Sequence, residues 1–368
     1  MKIDYRREGE LVLKNQIDIQ LSTNRKEKPS FSNLKFGKTY TDHMFIMDYS
    51  REKGWYDPRI VPYQPITLDP AATIFHYGQT IFEGLKAYLS ENEEVFLFRP
   101  DENIKRLNRS SVRMCIPEVD EELALEALKK LVAIDRDWVP NMEGMSLYIR
   151  PFIISTEPNL DVTPSQNYRF MIIMSPVGSF YKEGMDPVKI AVESDYVRAV
   201  RGGTGNAKTA GNYAGAMLVQ EKASASGYSQ VLWLDGNEKK YIEEVGSMNV
   251  FFKINGEVVT PELSGSILEG ITRKSVIELL KYWGVPVSER RISIDELHEA
   301  YQKGQLEEAF GSGTAAVISP IGELFWNNEK MLINDGKTGD LSLKVYKTLT
   351  GIQTDKEEDP FGWRVKVD

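Results

Sequence analysis

The sequence predicts a two-domain chain of the α/β or α+β class with much antiparallel pairing, rather than a doubly wound parallel sheet. Strand-like and helix-like periods alternate through the first half, and two hairpin signals, built on Asp-Gly and Asn-Gly, stand close together in the second. A stretch carrying Gly and Pro separates the halves. At 368 residues the chain has room for two domains of ordinary size.

Residues 1–35 are polar, rich in Lys, Asn and Ser, and read as a loosely held arm. Residues 36–181 make a smaller α/β domain. Within it "EEVFLFRP" (93–100) is strand-like, and "DENIKRLNRSSVRMCI" has apolar or small residues at helical spacing with Asp101 placed to cap. "DEELALEALKKLVAIDRDW" is an amphipathic helix, apolar at Leu123, Leu125, Leu128, Leu131 and Val132. Two strands follow, "SLYIRPFII" and "YRFMIIMSPV", and residues 182–188 are the interdomain linker. The larger domain, 189–368, restarts around the strand "VKIAVES". "AGNYAGAMLVQEKASASG" reads as one helix stopped by Gly227. "QVLWLDGNEKKYIEEV" is a hairpin on a tight Asp-Gly turn, and "NVFFKINGEVVTP" is a second on Asn-Gly. "GITRKSVIELLKYWGVP" is a helix ended by Gly284 and Pro286.

The net charge of -9, with no long basic run, argues against nucleic-acid or anionic-membrane partners, which want a positive surface. A single cysteine, Cys115, excludes an internal disulfide. His43, His76 and His298 are far apart and form no HExxH pair, so no metal site is expected. The N-terminus has no apolar h-region, and no run approaches membrane-spanning length, so the cytoplasm is the expected location.

Chemistry concentrates in "RGGTGNAKTAGNY" (201–213). Read from Gly202 to Thr209 it falls one residue short of a nucleotide-binding P-loop, because Ala207 stands where that motif has glycine. "VLWLD" (231–235) imitates the acidic strand end that would hold magnesium, but Asp235-Gly236-Asn237 is explained by local turn chemistry. The other reading makes Lys208 a Schiff-base amine. Such an enzyme needs a lysine, a phosphate anchor, a hydrogen bond to the ring's phenolic oxygen and an acid on its pyridine nitrogen. The chain offers candidates for all four. Taken singly, each is more often an ordinary surface or core residue.

The stretches "FGKTYTDHMF", "FHYGQTIFEGLKAY", "LYIRPF", "VRGGTGNAKTAGNYAGAMLVQEKA", "EEVGSMNVFF", "LEGITRKSVIELL" and "GSGTAAVISP" occur in the order found in branched-chain amino-acid aminotransferases. From about residue 36 onward the chain resembles that family, in its longer subtype. The resemblance implies the pyridoxal-phosphate fold type IV, with the cofactor at the domain interface. It implies transfer of an amino group between leucine, isoleucine or valine and 2-oxoglutarate. The sequence does not rank the three amino acids.

Lys208 then resembles the lysine that holds pyridoxal 5'-phosphate and shuttles the α-proton. Tyr213 resembles the tyrosine on the phenolic oxygen, and Glu244 the acid on the pyridine nitrogen. Its neighbour Glu243 competes for that role, but adjacent strand residues face opposite sides, and the motif selects Glu244. Arg106, Ile271, Thr272 and Thr314 correspond to the phosphate anchors. Ile271 and Thr272 open a helix whose free N–H groups suit an anion. Arg198, Ser247 (threonine in close relatives) and Leu268 are placed near the ring.

On the substrate side, Tyr148 and Arg150 share a strand face, and Arg150 is implied to take the distal carboxylate of glutamate. Tyr40, Tyr77, Phe82 and Phe180 resemble aromatic pocket walls, and Thr314 and Ala315 the amides that hold the α-carboxylate. The family implies a homodimer, with Leu160 and Val162 of "STEPNLDVTP" reaching the partner's site. Two departures stand out. "GTAAVISP" carries Ala316 and no cysteine, which excludes the thiol pair of the mammalian relatives, and Phe180 replaces a tyrosine. A D-amino-acid aminotransferase or an aminodeoxychorismate lyase shares the lysine and the acid but not the "TDHM", "LYIRP" and "EVGSMN" set together. A P-loop phosphotransferase is the alternative outside the fold.

Overall fold

The computed structural model describes residues 16–31, 34–178 and 185–368. Its strands fall into two nine-stranded sheets. The first is built from Asp18–Ile19 (β1), His43–Ser50 (β2), Gly54–Pro62 (β3), Thr80–Phe82 (β4), Leu85–Leu89 (β5), Val95–Phe98 (β6), Ser146–Ser155 (β7) and Asn167–Val177 (β8). The second takes Val188–Glu193 (β9), Gln230–Leu234 (β10), Ile242–Val245 (β11), Met248–Ile254 (β12) and Glu257–Thr260 (β13). It continues with Val287–Glu289 (β14), Leu306–Gly313 (β15), Val317–Trp326 (β16) and Glu329–Leu332 (β17). The last strand, Arg364–Val367 (β18), returns to the first sheet and pairs antiparallel with β6. The C-terminus therefore crosses the division that the sequence suggested at the linker.

The first sheet runs β1-β3-β2-β8-β7-β5-β6-β18, with β4 added beside β7. In the second, β11 pairs with both β10 and β12, which closes β11, β10, β9, β16, β15 and β12 into a ring. Antiparallel pairs dominate both sheets, as the hairpin signals predict.

A short helix, Thr73–Tyr77 (α1), lies between β3 and β4. Two longer ones, Pro100–Arg113 (α2) and Glu121–Ile134 (α3), pack Ile104, Leu107, Leu128 and Leu131 against the first sheet, around Trp138, Phe45 and Phe170. Helix α3 starts as predicted, with Asp120 accepting a hydrogen bond from the Leu123 N–H at 2.8 Å. Helix α2 does not use Asp101 as its cap. Arg99, in the left-handed region, turns the chain into Pro100 at the first helical position, where its missing N–H costs nothing. Asp101 instead pairs with Lys105 one turn on.

In the second half the predicted single helix is two, Ala210–Ala214 (α4) and Met217–Ala225 (α5), because Gly211 and Gly215 leave that stretch little helix propensity. Gly227 ends it at φ +83°, as expected. The Asn255-Gly256 turn is tight, with φ of 49° and 81°, the geometry only Asn and Gly reach readily. The Asp-Gly turn is not tight. Asp235 instead accepts hydrogen bonds from the N–H groups of Asn237, Glu238, Lys240 and Tyr241, so its carboxylate organises a longer loop. That use leaves it no role on magnesium.

Ile271–Tyr282 (α6), Ile294–Gln302 (α7) and Asp340–Gln353 (α8) complete the described helices. Phe251, Phe310, Leu280 and Leu349 pack α6 and α8 on the second sheet, and Phe98, Tyr88 and Trp363 join the same cluster from the first-sheet side. One hydrophobic core thus spans the seam between the sheets. The described part of the arm is fastened rather than loose. Ile17 is buried, β1 pairs with β3, and the Ser22 N–H donates to His43 Nε2 at 2.8 Å. Among the described residues no helix is long and apolar enough to cross a membrane.

Candidate active site

Lys208 sits at the seam. Its loop is shaped by Asn212, whose Nδ2 donates to the carbonyls of Thr204 and Ala207, both at 2.8 Å. It is also pinned to the first sheet: the Phe82 N–H donates to the Lys208 carbonyl at 2.9 Å, and the Thr209 hydroxyl to the Thr80 carbonyl at 2.7 Å. The Lys208 N–H donates to the Ser110 hydroxyl of α2 at 2.9 Å. Loop carbonyls spent on Asn212 and a lysine N–H spent on serine do not form the converging N–H cradle of a P-loop, so that reading fails. Lys208 Nζ instead meets the Tyr213 hydroxyl at 2.7 Å and lies 4.8 Å from the centre of the Phe82 ring.

Two adjoining cavities share Tyr213, Ser247, Asn249 and Leu268 as a common wall. The first, of about 180 Å³, holds Lys208, Arg106, Tyr148, Arg150, Phe82, Ile271, Thr272, Thr314 and Ala315. The second, of about 350 Å³, holds Glu244 and Arg198. Ser247 lies in the short β11–β12 connection, which carries it and Glu244 to the same place. The structure thus brings these residues together around the two cavities.

Glu244 is buried, accepts from the Leu268 N–H at 2.8 Å and lies 3.1 Å from Arg198 Nε. Burial pushes its pKa up, partly offset by Arg198. Glu243 faces the other way, into a separate crevice with Asp235 and Arg291, where its carboxylate takes the Ser266 hydroxyl. Arg106 is buried and already paired: Nε reaches Glu83 Oε1 at 2.7 Å, Nη2 reaches Oε2 at 2.9 Å, and Nη1 donates to the Glu269 carbonyl at 2.9 Å. Burial works against the Arg106 charge, but Glu83 more than offsets it and raises the pKa. Two of the five guanidinium N–H groups remain to be offered to a ligand.

The Tyr148 hydroxyl accepts from Arg150 Nη2 at 3.0 Å. Gly84 makes room for that ring, since a Cβ there would lie 2.1 Å from the hydroxyl. Arg150 stacks over Phe82 at 4.7 Å, and its buried Nε has no hydrogen-bond partner among the described residues. Phe180 lies outside the described residues. Tyr40 and Tyr77 line neither cavity. Tyr40 stacks on Tyr63, with centroids 5.0 Å apart. Tyr77, at the end of α1, faces outward at 41% exposure, and its hydroxyl donates to the Leu160 carbonyl. Leu160 and Val162 are 62% and 82% exposed, and Phe75, on the same helix as Tyr77, is 61% exposed. Tyr40 stands in the connection ahead of β2 and Tyr77 at the end of α1, where no periodic pattern tells which way an aromatic ring turns.

Sequence reasoning missed Glu83, Lys86 and Asn103. Asn103 Nδ2 donates to Glu83 Oε2 at 2.7 Å and helps fix the Arg106 partner. The signal for the first two was present in "IFEGLKAYL", where an acid and a lysine interrupt an apolar run.

Pyridoxal phosphate fits this donor set. Helix α6 opens on Gly270 with no side-chain cap, so its first N–H groups face the cavity that also holds Arg106 and Thr314. The buried Ser312 hydroxyl in the same wall has no partner among the described residues. No group of three or more His, Cys, Asp or Glu among the described residues could hold a metal ion.

The family profile described as amino-transferase class IV matches residues 80–324. Branched-chain-amino-acid aminotransferase 2 of Bacillus subtilis is 64% identical over 354 residues, covering 96% of this chain and 98% of that one. A probable branched-chain-amino-acid aminotransferase of Staphylococcus aureus is 58% identical, covering 95% and 98%. The crystal structure of the Escherichia coli branched-chain amino acid aminotransferase superposes with a TM-score of 0.74 at 27% identity, over 89% of this chain and 99% of that one. The T.th. branched-chain amino acid aminotransferase complexed with N-(5'-phosphopyridoxyl)-L-glutamate gives 0.72 at 27% identity, over 88% and 98%.

Proposed function

The chain belongs to the class IV aminotransferases, and within them to the branched-chain-amino-acid aminotransferases, and on that premise we infer how its cavity divides the work. It is a pyridoxal-phosphate-dependent transaminase acting on branched-chain amino acids and their 2-oxo acids. When bound, the cofactor supplies an electron sink for the electrons released at the substrate's α-carbon.

Lys208 Nζ holds the cofactor and moves the α-proton. Its position against the Tyr213 hydroxyl, where the two cavities meet, is the observation that carries this reading. Glu244, kept in place by Leu268 and Arg198, would pair with the ring nitrogen, and Tyr213 would donate to the phenolic oxygen. Arg106, the α6 N-terminus and Thr314 receive the phosphate. Arg150, supported by Tyr148, receives the side-chain carboxylate of glutamate, while Phe82 gives leucine an apolar wall. Amides at Thr314 and Ala315 hold the α-carboxylate.

The outward cluster of Phe75, Tyr77, Leu160 and Val162 supports a homodimer in which this face closes the neighbour's cavity. Residues 36–181 and 189–368 are the two domains that meet at the seam, with β18 exchanged back to the first.

The test is Lys208→Ala. The wild type is expected to be yellow, with borohydride bleaching the band irreversibly, and Lys208→Ala to lose transamination between leucine and 2-oxoglutarate by several orders of magnitude. Near-normal turnover without added amine would refute the assignment.

A further inference from the structure

The lysine in "EGLKAY" is used by none of the roles above. Lys86 lies in β5, opposite Tyr148 of β7, and its side chain is buried. Its Nζ donates to the Ala315 carbonyl at 2.8 Å. An ammonium has three donors, and this contact accounts for one. No carboxylate among the described residues pairs with it. A buried charge without a counterion is costly, so a chain that keeps one there gains something in return.

What surrounds Lys86 indicates what that is. A small void of about 20 Å³ beside it is lined by Asn103, Ile271, Thr272 and Thr314. Those include the free N-terminus of α6 and the start of the Thr314-Ala315 turn. Every polar contributor is neutral or a donor to anions. The arrangement has the chemistry of an anion site whose cation is drawn back behind one layer of backbone.

We propose that Lys86 is a positioning residue for substrate: it grips the Ala315 carbonyl so that the Thr314-Ala315 amides face the cavity, and its charge favours a carboxylate held there. This rests on the reading of that turn as the α-carboxylate holder. The same chemistry could serve the cofactor's phosphate, since Thr272 and Thr314 border both. The shared requirement is an anion within reach of the field of a buried ammonium.

The protonation state supports this. Burial lowers the Lys86 pKa to about 8, so the charge is present below that pH and lost above it. The groups facing it are Tyr148 from β7, Tyr88 on its own strand, Asn103 from α2, Thr272 from α6, Thr314 from the turn and Gln353 from α8. Asn103, Thr272, Thr314 and Gln353 carry no titratable group, and burial pushes Tyr88 far upward. An anion binding nearby supplies the missing counterion and raises the Lys86 pKa.

The experiment compares wild type, Lys86→Met and Lys86→Arg by three measurements. One is the affinity of the holoenzyme for 4-methylvalerate, a carboxylate without an amino group, followed by the cofactor's absorbance from about pH 6.5 to 9.5, a range that brackets the titration of the lowered lysine. Another is the affinity of the apoenzyme for pyridoxal phosphate, followed by tryptophan fluorescence. The third is the melting temperature. Lys86→Met is expected to hold or raise the melting temperature, since it removes a buried unpaired charge. It should weaken carboxylate binding roughly tenfold or more near pH 7 and leave cofactor affinity within about threefold, by the usual worth of a charge-assisted contact. Wild-type affinity should fall as pH rises through about 8 beyond any change in Lys86→Met, and Lys86→Arg, charged throughout, should flatten that fall. Loss confined to the pyridoxal phosphate arm, at an unchanged melting temperature, would overturn the substrate assignment and place Lys86 at the phosphate. Undiminished binding in both arms would overturn the inference altogether. Failure of the wild-type holoenzyme to bind 4-methylvalerate at all would overturn the α-carboxylate reading and this inference with it.

Discussion

Two arginines border the same cavity, and the chain treats them in opposite ways. Arg106 is held by Glu83 through two short contacts and by the Glu269 carbonyl, with Asn103 steadying the glutamate. Arg150 has no carboxylate partner among the described residues. It rests on the faces of Phe82 and Tyr148, at 4.7 and 5.3 Å, with Nε unpartnered there as well. The difference follows from what each would meet in the roles proposed for it. A cofactor's phosphate stays bound through turnover, so its arginine can be neutralised and locked in advance, offering spare N–H groups in fixed positions. A substrate pocket that takes leucine in one half-reaction and glutamate in the other needs a cation that tolerates both. Aromatic faces stabilise a guanidinium without competing for the ligand's carboxylate, by roughly 0.5–2 kcal/mol. A carboxylate partner would hold it too well.

That contrast predicts its largest effect at Glu83. Removing one member of a buried pair leaves the other charge stranded, at about 3–5 kcal/mol. Glu83→Ala should therefore lower the urea midpoint steeply and weaken pyridoxal phosphate binding, although Glu83 itself is no phosphate ligand. An unchanged midpoint would show that Arg106 does not depend on its partner, and the contrast would collapse. The next effect is at Arg150. Arg150→Met should depress kcat/KM for glutamate and 2-oxoglutarate roughly ten- to more than a hundredfold, the worth of a hydrogen bond to a charged group of about 1.5–3 kcal/mol. Single-turnover reaction with leucine should stay near wild type. Stopped-flow measurement of each half-reaction separates them. A parallel fall in both would make Arg150 structural or a holder of the α-carboxylate, and so more like Arg106 than the comparison allows.

The part of this site legible in the sequence was the part written contiguously. Lys208 stands just ahead of α4 and Tyr213 five residues on within it, and Glu244 and Ser247 lie on either side of Val245-Gly246, so a motif captured their company. The Asn-Gly hairpin and the capped helix α3 were legible because each is decided by local chemistry: a turn's φ, a cap's hydrogen bond, an apolar stripe. What escaped depends on pairing over distance. Glu83 and Arg106 find each other across 23 residues, and Lys86 and Ala315 across 229. The strand β18 returns to the first sheet through a contact that no local pattern announces. Tyr40 and Tyr77 show the same limit in another form, since an aromatic residue satisfies an inner wall and an outer face equally well, and only assembly decides between them.

The smallest effect should come from the pair that sequence alone found hardest to separate. Glu243 and Glu244 are neighbours on β11, both buried, and burial raises the pKa of each. They share one arginine through a short path: Arg198 lies 3.1 Å from Glu244, and it also donates to the carbonyl of Ser266, whose hydroxyl is held by Glu243. Of the two, Glu244 borders the cavity with Tyr213 and Ser247, so its charge is the one that can stabilise a proton on a ring nitrogen there. Glu244→Gln keeps the shape and removes that charge, and turnover should fall roughly ten- to a hundredfold with cofactor retained. Glu243→Gln keeps an oxygen for the Ser266 hydroxyl and changes a group that borders a separate crevice. Its effect on kcat should be within about threefold, the scale of a neutral hydrogen bond gained or lost. Because Arg198 bridges the two, the double variant distinguishes local from shared action: additive losses mean that Glu243 acts only on Ser266, whereas a loss smaller than the product means that the pair works through Arg198 as one unit. Equal damage from the two single changes would show that strand face does not select the acid, and would place Glu243 in the site after all.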